Sequence, residues 1–376
     1  MKTCTQCATG FEILAKDQAF YGKMNVPEPN LCPTCRSIHR LSFRNEWSLY
    51  HRKSNLSGKQ MITMYAPENP YVIYDQDEWW SDQWDPLKYG RDFDFNRPFF
   101  EQFAELQKVV PRMSLNVIGN ENSTYTNYAL RNKDSYLIYT ADFCESSCYG
   151  RVSMRGAKNC FDFDFVDRSE FCYECVDVYD SYQCFYSQDC HNSSNLWFCK
   201  NMKSSKNCLF SCNQINKEYL IFNQPVSPEE FEEKKNQVLG SYATLKIALK
   251  KAQEFFLKNP VKENENLQCE NTTGNYLSQC RNTYDAYDSS QLEDCRYVSY
   301  LYNCKDCYDW DFVGNKSELC YQVLSSAYQL QRCIGVMNSW DVNTDLFYCD
   351  LMLGSKSCFG SIGLRKKEYC TFNKQY

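Results

Sequence analysis

The chain has 376 residues, 43% of them hydrophobic, a mean hydropathy of −0.61 and a formal charge of −6, which excludes a disordered polymer and describes a globular protein of two or three domains. No apolar run approaches the roughly 18 to 20 residues that cross a bilayer, and Met1-Lys2-Thr3-Cys4 opens without an apolar leader, so no membrane partner and a cytoplasmic location are expected. Cysteine is the anomaly, with 24 Cys beside 3 His, 14 Gly and 9 Met, in a chain also rich in Tyr (29) and Phe (24).

Residues 1–60 are the basic part of the chain, holding nine Lys/Arg against four Asp/Glu, whereas residues 61–120 hold five against ten. The basic segment carries Cys4-x-x-Cys7 and Cys32-Pro33-Thr34-Cys35. Each pair offers two thiolates from one tight turn, and four such ligands complete a tetrahedron, so one structural Zn2+ held by Cys4, Cys7, Cys32 and Cys35 is expected, with no open position for water. A helix should follow the second pair. It would place Arg36, Arg40 and Arg44 one turn apart, with Arg52 and Lys53 nearby, as a possible contact for a phosphate backbone. The competing reading is a solvated helix face, or arginines paired with the acidic stretch that follows.

Residues 61–120 read as an aromatic bridge. Tyr71-Val72-Ile73-Tyr74 predicts a short strand. Asn96 can cap a helix that opens at Arg97-Pro98 and stops at Pro111, with Phe99, Phe103, Leu106 and Val110 along its core face.

From residue 121 the sequence falls into frames of twelve. The fourth position reads Thr124, Tyr136, Cys148, Cys160, Cys172, Cys184, Leu196, Cys208 and Leu220, with a mostly aromatic neighbour at position five. After a helical insert at 229–262, introduced by Ser227-Pro228-Glu229-Glu230 and expected to run to about Lys258, a second array spans 263–376. Its fourth column reads Thr273, Thr283, Cys295, Cys307, Cys320, Cys333, Leu346, Cys358 and Cys370. Cys160-Phe161-Asp162-Phe163-Asp164-Phe165-Val166 is echoed by Cys307-Tyr308-Asp309-Trp310-Asp311-Phe312-Val313. This is the pattern of a duplicated unit, with a first array at 121–228.

The expected fold is therefore mainly β: an N-terminal zinc ribbon, then a duplicated parallel β-solenoid of about twelve residues per turn, with two helical segments. Twelve residues give a contour of roughly 40 Å, enough for a small coil of two short strands and tight corners. The column cysteines fit a narrow core as reduced thiols. Disulfides such as Cys184 with Cys190, or metal and redox use of pairs such as Cys172/Cys175, are the alternatives. If the cysteines point inward, the aromatic column points outward and needs either a helical cover or a partner.

No phosphate-binding loop, dinucleotide fingerprint or nucleophile elbow occurs. The acidic pairs Asp162/Asp164 and Asp309/Asp311, alternating along predicted strands, are the best enzymatic candidates, suited to general acid and base work on glycosidic bonds or to holding a hard cation, and Asp92-Phe93-Asp94 is similar. Alternating carboxylates also describe a solvated face.

The runs Leu31-Cys32-Pro33-Thr34-Cys35-Arg36, Trp79-Trp80-Ser81-Asp82, Tyr89-Gly90-Arg91-Asp92-Phe93-Asp94-Phe95 and Arg97-Pro98-Phe99-Phe100-Glu101-Gln102-Phe103 resemble an uncharacterised group of candidate-phyla-radiation bacteria that joins a zinc ribbon to cysteine-rich repeats. The resemblance covers the whole chain and implies this architecture and a bacterial cytoplasm, without an activity. The function expected is a non-enzymatic, zinc-stabilised scaffold that binds a protein or nucleic-acid partner. The alternatives are a nucleic-acid or ribosome-associated protein acting through the basic ribbon, and a carbohydrate-active β-helix enzyme.

Overall fold

Lys2–Thr3 and Gly10–Phe11 pair antiparallel and carry the chain around a tight loop, closed by Cys4 N–H on Thr9 O (2.9 Å) with Ala8 left-handed at φ 59°. This computed structural model describes residues 1–284, 286–292, 321, 324, 326–327, 339–340 and 343–376. Helix α1, Ala15–Met24, was not anticipated: it buries only Asp17, Phe20 and Tyr21, so its apolar spacing carries little signal. Helix α2, Pro33–Leu41, follows the second cysteine pair as expected, with Cys32 at its cap position and Pro33 at its first residue.

A second antiparallel hairpin, Tyr50–Lys53 with Gln60–Thr63, leads into the bridge. There Ile73–Tyr74 pairs in parallel with Arg112–Met113, and helices α3 (Gln76–Trp80) and α4 (Phe99–Val109) flank the pair. Asn96 does not cap α4. Its backbone and side-chain N–H groups go to Asp94 Oδ1 instead, and Pro98 takes the cap position.

The main body is a sixteen-stranded sheet, almost wholly parallel. Each strand pairs with the segment twelve residues further on: Tyr136 with Cys148, Tyr182 with Ser194, Ser194 with Lys206, Lys206 with Glu218. One step is thirteen long, pairing Cys148 with Phe161 and Gly150 with Phe163. The extra residue lies between Val152 and Gly156, where the interval between left-handed residues widens from three to four. It corrects the column assignment. Cys148, Tyr136 and Thr124 belong with outward-facing Phe161, and the inward partners of Cys160 are Ser147 and Ser135.

The inward period is three rather than the two of a flat strand. Cys160, Phe163, Val166, Ser169, Cys172, Cys175, Val178 and Ser181 are all buried, and the series continues at every third residue to Ser211. Left-handed backbone recurs with the same period, from Asn122 (φ 44°) to Phe222 (φ 49°). Asn and Asp, which tolerate that region best, occupy many of these positions, among them Asn192, Asn195, Asn201, Asn207, Asn213 and Asn216. Each twelve-residue step thus has four inward columns.

One column is serine. Ser169 Oγ accepts from Ser181 N–H (3.0 Å), Ser181 from Ser193 (3.1 Å) and Ser193 from Ser205 (3.1 Å), while each hydroxyl donates to the carbonyl two residues before it. The ladder satisfies buried hydroxyls that would otherwise oppose folding. The cysteine columns hold free thiols, and no disulfide occurs among the described residues.

Helices α5 (Pro228–Leu239) and α6 (Tyr242–Phe256) replace the single expected helix. Ser227 caps the first as predicted, but Gly240 ends it and Ser241 caps the second in a capping box with Thr244. Both lie on the far end of the outward aromatic column, packing Phe231, Ala248 and Ala252 on Phe198, Leu209 and Phe210.

The second array repeats the twelve-residue register where Gly274 pairs with Ala286 and Thr344 with Lys356, and departs from it in steps of eleven (Leu267 with Ser278) and thirteen (Ser339 with Met352). Thr283, Leu346, Cys358 and Cys370 are buried as its predicted column requires, Thr273 is exposed against that expectation, and Cys295, Cys307, Cys320 and Cys333 lie outside the described residues. Both arrays close on the same antiparallel hairpin: Leu220 pairs with Pro225, and Cys370 with Gln375. The bridge contacts both arrays. Trp79, Trp84, Phe103, Leu106 and Met113 share one core with Tyr128 and Leu130 of the first and with Leu353, Ile362 and Phe372 of the second.

Candidate metal centre

The sulfur atoms of Cys4, Cys7, Cys32 and Cys35 all lie within 4.8 Å of one another, with Cys7 Sγ 3.7 Å from Cys32 Sγ. The sequence pairs the cysteines; the fold brings the pairs together. The hairpin presents Cys4 and Cys7, and the first turn of α2 presents Cys32 and Cys35, with Thr5 N–H on Asn30 O (3.0 Å) tying the two loops. A tetrahedral ion with metal–sulfur bonds near 2.3 Å needs sulfurs about 3.8 Å apart. The cluster fits that requirement, and Cys4, Cys32 and Cys35 are buried while Cys7 faces solvent.

The four thiols are electrostatically unequal. Backbone N–H from Cys7, followed in weight by that of Cys32, lowers the Cys4 thiol to about 6 against the opposing effect of burial. The Thr9 hydroxyl and N–H lower Cys7. Cys35 is pushed up to about 12, first by burial and then by the neighbouring cysteines. A cation among the sulfurs relieves that mutual repulsion, which is the electrostatic reason for four thiolates to converge.

The arginine stripe has a different fate from the one expected. Arg36 and Arg40 are buried, and Arg36 Nη1 donates to Leu31 O (2.7 Å). Together with His39 and Phe43 they line a cavity of about 350 Å3 against Phe100 and Tyr348. Arg44 pairs with Glu46 (2.5 Å), lies over the Tyr128 ring (3.8 Å) and donates to Thr140 Oγ1 (3.0 Å), fastening this unit to the first array. Arg52 is half-buried and donates to the carbonyls of Ala66, Asn69 and Tyr71, leaving Lys53 as the exposed member of the set. Helix α2 ends at Leu41, so Arg36 and Arg40 alone keep the helical spacing and Arg44 lies beyond it, and the face that the two mark is turned into the protein.

The acidic pair is likewise not a convergent site. Phe163 points inward, Asp162 is exposed on a left-handed residue (φ 52°), and Asp164 is held by Arg151 through bonds of 3.0 and 2.8 Å. A cavity of about 440 Å3 between the arrays is lined by Arg155, Asp167, Arg168, His191, Glu265 and Tyr276, among others, but by neither Asp162 nor Asp164. Asp309 and Asp311 lie outside the described residues.

One feature has no signal in the sequence and a second has only a partial one. Tyr276 of the second array donates to Asp189 of the first (2.6 Å), beside Asp177, whose carboxyl is raised to about 7 by burial and then by Asp189, Asp288 and Asp164. The long sequence separation left no local signal for this cluster. The second is an exposed aromatic row at the start of the first array: Tyr125, Tyr136 and Tyr149 are in edge contact at 5.6 and 5.8 Å and are 40%, 36% and 53% exposed. The aromatic column pointed to it, but not to which part stays bare.

No family model matches the chain, and no curated protein matches it. Among solved structures it shows a faint likeness to one titled a "putative acetyltransferase from Desulfovibrio desulfuricans G20", at 10% identity and a TM-score of 0.14. The alignment covers 65% of this chain and 63% of that one, and at this score it carries no argument. Among the described residues, no helix is long and apolar enough to cross a membrane.

Proposed function

We propose that the protein is a zinc-stabilised binding scaffold: a zinc ribbon at Cys4, Cys7, Cys32 and Cys35 fixed to a duplicated parallel β-solenoid, whose outer face receives a protein partner. The observation that carries this reading is the bare aromatic row Tyr125–Tyr136–Tyr149, on an outward strip whose continuation is covered by α5 and α6. Rigid, exposed tyrosines are characteristic binding anchors, and elsewhere the molecule spends two helices to cover the same kind of surface. Soft thiolates at tetrahedral spacing support zinc, and the +12 register with four inward columns supports one solenoid turn per frame.

Burial of Arg36, Arg40 and Arg44 turns the balance away from nucleic acid, and the Arg151 partner of Asp164 away from hydrolysis. Capture from native extract by wild-type protein and by a Tyr125→Ser/Tyr136→Ser/Tyr149→Ser variant, each with and without nuclease, tests the reading. A nuclease-resistant partner lost with the tyrosines supports it. A partner that nuclease removes and the variant retains overturns it.

A further inference from the structure

Residues 50–80 repeat the hydrogen-bonded frame of the cysteine centre, position for position. In the first hairpin Lys2 pairs with Phe11 and Thr3 with Gly10; in the second, Arg52 pairs with Met61 and Lys53 with Gln60, an offset of fifty on both strands. Cys4 N–H on Thr9 O (2.9 Å) becomes Ser54 N–H on Lys59 O (2.8 Å), and Ala8 N–H on Cys4 O (3.0 Å) becomes Gly58 N–H on Ser54 O (3.0 Å). The left-handed loop residue is Ala8 (φ 59°) in one and Gly58 (φ 78°) in the other. The tie between loop and helix also recurs: Thr5 N–H on Asn30 O matches Asn55 N–H on Ile73 O, each acceptor standing two residues before a helix cap. The caps themselves agree, Cys32 at φ −66°, ψ 161° and Asp75 at φ −56°, ψ 156°. Ser54, Ser57, Asp75 and Glu78 therefore occupy the positions of Cys4, Cys7, Cys32 and Cys35.

The substituted side chains close on one another without an ion. The Ser54 hydroxyl donates to Glu78 Oε2, which also accepts the Asp75 N–H (3.3 Å). Lys59, in the place of Thr9, sets its ammonium 3.0 Å from Asp75 Oδ1. Burial acts to raise the Glu78 carboxyl, but the Ser54 and Ser57 hydroxyls and the Asp75 N–H outweigh it and hold the group low. Serine hydroxyls do not ionise near neutral pH and make poor ligands for a soft ion, so this oxygen set has lost the chemistry of four thiolates.

We propose that residues 50–80 are a second copy of the metal unit that has become metal-independent, with the Lys59 ammonium standing in for the cation and the Ser–Glu hydrogen bonds for two metal–sulfur bonds. Two measurements test it on the full chain. The variant Ser54→Cys/Ser57→Cys/Asp75→Cys/Glu78→Cys, loaded with zinc and freed of excess, is expected to hold one more zinc per chain than wild type. Loaded with Co(II), it should show about twice the tetrathiolate absorption. A folded variant with unchanged metal content overturns the equivalence. In wild type, limited proteolysis with and without chelator is expected to open residues 1–45 on metal removal and leave residues 50–80 protected. Loss of protection in both segments overturns metal independence, and this second arm decides if the fourfold variant fails to fold.

Discussion

At Gly150 a single methyl group has nowhere to go. A Cβ there would lie 2.1 Å from Phe163 Cζ, because the large ring, thirteen residues on in the same inward column, rests on the glycine backbone. Gly150→Ala is expected to cost about 1–3 kcal/mol by overpacking, with Phe163→Leu in the same chain recovering much of it, read as midpoint shifts in urea unfolding. Asp350 poses the opposite problem. Its carboxylate meets Arg112 Nη2 at 2.5 Å with both side chains nearly inaccessible, joining the bridge to the second array. Asp350→Ala strands a buried guanidinium and should cost about 3–5 kcal/mol, whereas Arg112→Met with Asp350→Leu should cost far less, as a double-mutant cycle would show. The inter-array carboxyls set a pH dependence. Asp177 titrates near 7 and Asp288 near 6 in the fold, both raised first by burial, against an ordinary value of 3.8. Between about pH 4 and 7 these two carboxyls hold protons in the fold that they release in the unfolded chain, so their contribution to stability falls as pH rises through that window, against an opposing contribution from His191, which burial lowers to about 4. Measured from pH 5.5 to 7.5, the melting temperature of wild type should therefore fall relative to that of Asp177→Asn.

At the scale of elements, the cysteine centre and the twelve-residue arrays are held by different forces, and thiol chemistry should separate them. Among the described cysteines outside the centre, only Cys148 and Cys269 are not fully buried. A neutral alkylating reagent is expected to label those two in the native protein and to reach Cys4, Cys7, Cys32 and Cys35 after chelation; mass mapping gives the answer. Labelling of Cys172, Cys184 or Cys190 under native conditions would contradict the inward columns. The sequence discloses the elements unevenly, for physical reasons. The cysteine quartet is legible because metal chemistry demands both residue type and spacing. The twelve-residue step is legible because stacking copies one choice of side chain up a column. The period of three is concealed, since serine, cysteine, valine and phenylalanine all serve inward positions, and a left-handed residue announces itself only where it is Asn, Asp or Gly. The thirteen-residue step near Gly156 then shifts three frames by one, which a fixed template cannot register. Arg36 and Arg40 mislead for another reason: helical spacing reveals a face but not what packs against it.

In the whole molecule the bridge is the joint. It shares its core with the start of the first array and the end of the second, while Arg365 lies 5.3 Å from the rings of both Trp79 and Trp84. Residues far apart in the chain thus depend on one another, and unfolding monitored by tryptophan fluorescence should report the second array as well as the bridge. The paired terminal hairpins carry one more consequence, for assembly. A stack of parallel strands ends in a row of unused N–H and C=O groups on which another molecule could continue the stack, as fibres grow. Here the last strand of each array meets its own returning segment: Leu220 faces Pro225, which has no N–H to offer, and Cys370 faces Gln375. Asn223 and Asn373 complete the closure by accepting the N–H of Cys212 (2.9 Å) and Ile362 (2.7 Å) through their side chains. The same short return that finishes each array also blunts its end as a template for another chain, and Phe372 within it belongs to the shared core, so a chain cut before Phe372 is expected to self-associate more than the intact protein, as light scattering would show.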